Sequence, residues 1–218
     1  GLHLAWSEDG YRWRPIAGGE SILTPEVGGK EVLMRDPCIA RGPDGVYHMV
    51  WTTGWNENHI GYASTRDFVG WTPQRALPVM AHEPNVRNSW APEIVFDEKK
   101  GEFLIFWAST LPDRFPETAG SSESAYNHRI YATSTRDFRV FTPTRLFYDP
   151  RFSVIDATFL RSGTETYLVI KDETVTPPRK YLQIAPTDGL QGAVGPLSSP
   201  ISPRGTWVEG PTAIKVGE

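Results

Sequence analysis

Asp36, Asp156 and Glu209 each stand at the start of a short segment of similar shape, and Glu93 lies two residues past the matching position in another. The segments are Arg35-Asp36-Pro37-Cys38-Ile39, Trp90-Ala91-Pro92-Glu93-Ile94, Ile155-Asp156-Ala157-Thr158-Phe159 and Glu209-Gly210-Pro211-Thr212-Ala213. Carboxylates gathered around one opening repel one another and lose hydration, which raises the pKa of at least one of them. A neutral carboxylic acid beside an ionised carboxylate is what cleavage of a glycosidic bond requires. The acid protonates the leaving oxygen and the carboxylate activates water. An inverting enzyme keeps the two roughly 6.5–9.5 Å apart to admit that water, whereas a covalent retaining mechanism needs a tighter pair.

The elements that must position these groups are legible as an internal repeat. The segments recur at roughly 50 to 65 residues, close to the length of a four-stranded propeller blade with its loops. The first three lead into tight turns, Gly42-Pro43-Asp44-Gly45, Glu98-Lys99-Lys100-Gly101 and Ser162-Gly163-Thr164, then into apolar runs at Val46–Thr53, Phe103–Ser109 and Thr166–Ile170. Turn chemistry between β-rich runs predicts hairpins. Runs such as Phe103-Leu104-Ile105-Phe106-Trp107 are apolar on both faces, as expected of strands packed between two neighbouring sheets. A second motif closes each unit: Tyr62–Asp67 leads to Trp71, Tyr131–Asp137 to Phe141, and His3–Asp9 to Trp13, with a degenerate copy at Tyr181–Asp188. It reads as a third strand, a turn opened by Ser or Thr and Asp, and an outer fourth strand, so its aspartates are structural.

The predicted fold is therefore all-β: a five-bladed β-propeller with three complete blades and two partial ones, forming a single domain over residues 1–218 that is incomplete at both termini. Alternating strand directions put the short first-to-second turns on one face. The long loops at 54–59, 111–129 and 172–180 fall on the other, together with the starts of the inner strands. Short turns opposite long polar loops suggest scaffold and site respectively.

Composition narrows the functions. A formal charge of −4 without a run of Lys and Arg speaks against nucleic acid. No apolar run reaches membrane-spanning length, so no membrane partner is expected. The single cysteine, Cys38, leaves the compartment open, with a secreted or periplasmic site the expectation for a bacterial protein. The five His residues lack metal-ligand spacing, and His82-Glu83-Pro84-Asn85 lacks the second His of a helical zinc motif. No nucleophile elbow or phosphate-cradling glycine loop occurs. Trp51 and Trp107 lie inside apolar runs and read as core. Trp90 fits either a sugar-pocket wall or blade packing. Trp55 sits on a loop of the site face, and His128 and Asn127 lie on the longest loop, from which they could reach the site. Glu93 fits either a channel-facing group or a structural partner for Arg35 or Arg87.

The segments Arg35-Asp36-Pro37, Ser89-Trp90-Ala91-Pro92-Glu93, Val154-Ile155-Asp156 and Trp207-Val208-Glu209-Gly210-Pro211 resemble the blade signatures of glycoside hydrolase family 43. That family consists of five-bladed propellers, including α-L-arabinofuranosidases, β-xylosidases and related arabinan- and galactan-cleaving enzymes, which invert anomeric configuration. The resemblance implies Asp36 as general base, Asp156 as the group that tunes and orients the acid, and Glu209 as general acid. Arg35, Trp55, Trp90, Glu93 and His128 are then the expected substrate contacts, the substrate being a terminal arabinofuranosyl or xylosyl residue of a carbohydrate. Many members hold calcium or another ion in the channel with help from a His of the last blade, which this chain lacks. No cofactor is therefore expected to be required, and a channel calcium is the single candidate ion. A sialidase-like propeller needs an Arg cluster and a Tyr nucleophile, whereas the inner-strand starts offer acids and only Arg35. A non-catalytic carbohydrate-binding propeller is the other alternative, though it would not need all three carboxylates.

Overall fold

The computed structural model describes residues 1–203 and 205–216. Arg204, Gly217 and Glu218, within the span read as one domain, lie outside them. The chain is all-β, with short 3-10 turns as its only helical pieces among the described residues, and forms four antiparallel sheets in chain order. A ribbon pairs β1 (Ala5–Trp6) with β2 (Arg14–Pro15). The next sheet is a consecutive meander of β3 (Arg35–Arg41), β4 (Tyr47–Thr52), β5 (Ile60–Thr65) and β6 (Arg75–Leu77). Another follows the same order with β7 (Trp90–Asp97), β8 (Glu102–Thr110), β9 (His128–Thr135) and β10 (Arg145–Tyr148). The last has β11 (Val154–Ser162), β12 (Glu165–Asp172) and β13 (Leu182–Thr187).

The sheets cohere by packing face against face. Val50, Ile60, Leu77, Ile105 and Trp107 share one apolar cluster between the two four-stranded sheets. Leu104, Phe106, Ile130, Leu168 and Ile170 share another between the β7–β10 and β11–β13 sheets. Alternate residues of β8 thus serve opposite neighbours, which is why its sequence shows no polar alternation. Trp51 packs with Leu2 and Met49 and crosses Gly61, its cross-strand partner on β5. A Cβ at Gly61 would come within 2.0 Å of the indole ring of Trp51. Gly61→Ala is therefore expected to destabilise the fold by about 3 kcal/mol, read as a lowered denaturant midpoint.

The closing motifs are local devices. Asp67 Oδ1 accepts the N–H groups of Val69 and Gly70, Asp137 those of Arg139 and Val140, and Asp9 those of Tyr11 and Arg12. Those bonds hold all three carboxyls below their ordinary pKa.

Two expectations need correction. After β13 the chain forms only a bridge at Thr187–Val194, followed by single bonds from Gly195, Ser198 and Ile201 to Pro186, Ile184 and Leu182, so this sheet has no fourth strand. Pro196 and Pro200 remove the donors a regular ladder would use. The segment around Glu209, expected to be an inner strand, is extended but forms no strand. Its backbone N–H groups make single bonds, Val208 to Lys180 and Gly210 to Asp156, and no strand among the described residues lies alongside to complete a ladder. No helix of the described residues is long and apolar enough to cross a membrane.

Candidate active site

Each inner strand carries the same irregularity. Between Arg35 and Cys38, Trp90 and Glu93, and Ile155 and Thr158, one extra residue is inserted against the partner strand. The bulged residues, Asp36, Ala91 and Asp156, have φ of 50°, 45° and 52°, and Gly210 at the matching place in the last segment has 58°. Left-handed backbone is strained for any residue with a Cβ, at roughly 1–2 kcal/mol each. Bulges bend a strand and re-aim its side chains. Asp36, Ala91, Asp156 and Gly210 all border two cavities, one on the loop-rich face and one running between the inner strands.

The loop-side cavity, about 320 Å³, brings Asp36, Asp156 and Glu209 together. Asp36 Oδ2 accepts the Thr52 hydroxyl at 2.9 Å, and the same Thr52 oxygen accepts the Ala91 N–H at 2.8 Å. One hydroxyl on β4 thereby ties the base candidate to the bulge of the neighbouring sheet. Asp156 Oδ2 accepts the Gly210 N–H at 2.9 Å, and burial raises its pKa to about 6. Glu209 behaves otherwise. Its side chain is 71% exposed, and the Lys171 ammonium donates to its Oε2 at 3.0 Å, holding its carboxyl below the ordinary range. In this arrangement Asp156, not Glu209, is the carboxyl disposed to keep a proton.

The remaining predicted contacts divide. Trp90 donates through Nε1 to Trp55 O at 2.9 Å, and the two rings meet edge to face at 5.8 Å. Tyr126 extends this wall, packing 4.7 Å from Trp90. Arg35 lies 4.6 Å over the Trp55 ring and so braces the wall as well as lining the cavity. His128 opens β9 instead of lying on the loop. It is 2% exposed, stacks on Tyr126 at 4.9 Å, and both ring nitrogens lack a partner among the described residues. Burial pushes its pKa down to about 3, so it is neutral. The long loop before it is ordered by the fully buried Arg129, which binds Asp149, Asn127 and Thr118. Asn127 thus serves the loop and is nearly buried.

Glu93, expected as a substrate contact, is excluded from the loop-side cavity and lines the inter-strand one, about 350 Å³, with Cys38. Neither Arg35 nor Arg87 pairs with it; Thr158 donates to its Oε2 at 3.0 Å. The bulge explains the placement: it interrupts the period of two at Ala91, which borders both cavities, so that Glu93 two residues on borders only the inter-strand one. Burial raises the Glu93 pKa to about 7. At this group the folded state thus binds more protons than the unfolded chain between pH 4.5 and 7, and the Glu93 contribution to stability falls as pH rises through that window. Asp156 adds to the fall between pH 3.8 and 6. Glu93→Gln is expected to flatten the upper part of this slope and raise stability at pH 8 by up to about 3 kcal/mol, read from denaturant melts against pH.

Among the described residues no group of three or more His, Cys, Asp or Glu is arranged to hold a metal ion. Calcium takes 6–8 oxygen ligands, and the inter-strand cavity is lined by the carboxyls of Asp36, Glu93 and Asp156 together with the Cys38 thiol.

Sequence reasoning missed Thr52, Tyr126, Lys171, Glu173 and Lys180, all of which line the loop-side cavity. A signal was available for the charged ones. Lys171-Asp172-Glu173 follows an apolar strand directly, and charges that a buried strand carries inside must be paired. Lys171 and Lys180 both pair with the buried Glu173.

Comparisons with known proteins place the chain among sugar hydrolases. Over 192 residues the chain is 27% identical to an α-L-arabinofuranosidase of Bifidobacterium longum subsp. longum, covering 76% of this chain and 17% of that protein. Among solved structures it matches a xylan β-1,4-xylosidase from Bacillus halodurans C-125 with a TM-score of 0.62 at 14% identity, over 88% of this chain and 37% of that one. An α-L-arabinofuranosidase from Lactobacillus brevis gives 0.55 at 18% identity, over 72% and 50%. The chain therefore spans half or less of these relatives. A family model described as "Probable glycosyl hydrolase domain" matches residues 1–216. Because that match runs through nearly the whole chain, the chain belongs to the glycosyl hydrolase domains related to glycoside hydrolase family 43.

Proposed function

We propose that this chain forms most of a five-bladed β-propeller that hydrolyses terminal arabinofuranosyl or xylosyl residues with inversion. The observation that carries the reading is the convergence of Asp36, Asp156 and Glu209, from segments far apart in the chain, on one cavity walled by Trp55, Trp90 and Tyr126. Aromatic faces suit the apolar face of a sugar ring. The unpartnered ring nitrogens of His128, which lines the same cavity beside Tyr126 and Trp90, suit a hydroxyl-bearing ligand. In the reaction, Asp36 takes a proton from water as its oxygen attacks the anomeric carbon. Glu209 gives its proton to the glycosidic oxygen as the bond to it breaks. Asp156 orients the acid and tunes its pKa. No metal is assigned a step.

The test is hydrolysis of 4-nitrophenyl α-L-arabinofuranoside and 4-nitrophenyl β-D-xyloside by the full chain, with the first-formed anomer identified by proton NMR. The expected product has the configuration opposite to the substrate's. A retained configuration would remove the inverting assignment. Sugar binding without turnover of either glycoside would make the protein a carbohydrate-binding propeller.

A further inference from the structure

Lys171 stands where the candidate acid meets the buried charges behind it. It lies near the end of β12 opposite Ile155, the residue before Asp156, and is only 3% exposed. Its ammonium contacts Glu209 Oε2 at 3.0 Å and Glu173 Oε1 at 2.5 Å. The two carboxylates thus share one cation. They are unequal partners: Glu173 is buried and also bound by Lys180, whereas Glu209 is exposed and held by little else. The other charges facing this point are Asp156 from β11, Asp36 and Arg35 from β3, and Lys180 from the β12–β13 loop, with Glu123 of the β8–β9 loop beside Lys180. His128 of β9 is neutral.

We propose that Lys171 is a positioning residue whose ammonium alternates between Glu209 and Glu173 and so decides when Glu209 carries a proton. The inference rests on the reading of Glu209 as proton donor. While Lys171 engages Glu209, that carboxyl is ionised and cannot protonate a leaving oxygen. When the ammonium withdraws to Glu173, which it already touches, Glu209 is left facing Asp36 and Asp156 without its counter-ion, and taking up a proton relieves the repulsion. Lys171 in this way makes the donor's protonation depend on what else occupies the mouth of the cavity.

The test uses kcat/KM against pH for the full chain, with whichever of the two 4-nitrophenyl glycosides the parent cleaves. Activity is lost above the pKa of the proton donor, so the alkaline limb reports Glu209. Lys171→Met removes the cation and is expected to move that limb upward by about one pH unit. Glu173→Gln removes the competitor and leaves Lys171 to Glu209, moving the limb downward by about the same amount. Lys171→Gln replaces Lys171→Met if the latter does not fold. A merely structural role would lower melting temperature and kcat without moving the limb. A limb that stays in place, or moves the same way in both variants, overturns the proposal. Glu209→Gln separates the two layers. A parent-like limb in that variant overturns the donor assignment, and this inference with it. A limb lost there but unmoved in the Lys171 and Glu173 variants overturns this inference alone.

Discussion

Asp36→Asn is expected to lower kcat/KM by about 10²- to 10⁴-fold, by the same factor for good and poor leaving groups. Water must be deprotonated whichever aglycone departs, so the loss should not depend on the aglycone's acidity. The substitution suits the test because asparagine has the same shape and its carbonyl still accepts the Thr52 hydroxyl, the bond that ties Asp36 to the Ala91 bulge. The fold should survive, and an unchanged melting profile checks that it does. The acidic limb of the pH profile should vanish with the base. Activity within a few-fold of the parent, in a folded variant, would exclude Asp36 from proton abstraction.

Glu209→Gln should produce the opposite signature. With an unactivated oligosaccharide the loss is expected to reach about 10²- to 10⁴-fold, because the departing alkoxide needs a proton. With a 2,4-dinitrophenyl glycoside, whose leaving group departs as a stable anion, most of the loss should disappear. The substitution also removes the ion pair with Lys171, but that cation keeps Glu173 as a partner, so stability should change little. An equal loss for both substrates would show that Glu209 binds or orients without donating a proton. Asp156, partly buried and with its pKa raised to about 6, would then be the carboxyl to examine next.

The correspondence between sequence and structure follows interaction range. The closing turns were legible because their determinants lie within a few residues: Asp67 and Asp137 bind N–H groups two and three positions ahead. The doubly apolar β8 was legible because burial on both faces leaves a compositional mark that needs no knowledge of the partner. Asp36, Asp156 and Glu209 could be singled out because the repeat places each near the same point of its unit. The repeat failed where regularity lapsed. Glu209 sits on an extended segment without a ladder, and Glu93 faces the inter-strand cavity, because position along a repeat does not report what lies alongside or which side a bulge turns outward.

By itself the sequence determined an all-β chain, the order of its hairpins, its sugar-hydrolase kinship and three carboxylates worth placing together. Only the tertiary structure decided their environments. It put Asp156 in a partly buried niche under the Gly210 N–H, set Thr52 between Asp36 and Ala91, and brought Lys171 against Glu209 across 38 positions of chain. The physical reason is that a carboxyl's proton affinity depends on solvent access and on charges a few ångströms away. Those quantities belong to the packed sheets and have no signature in any one segment.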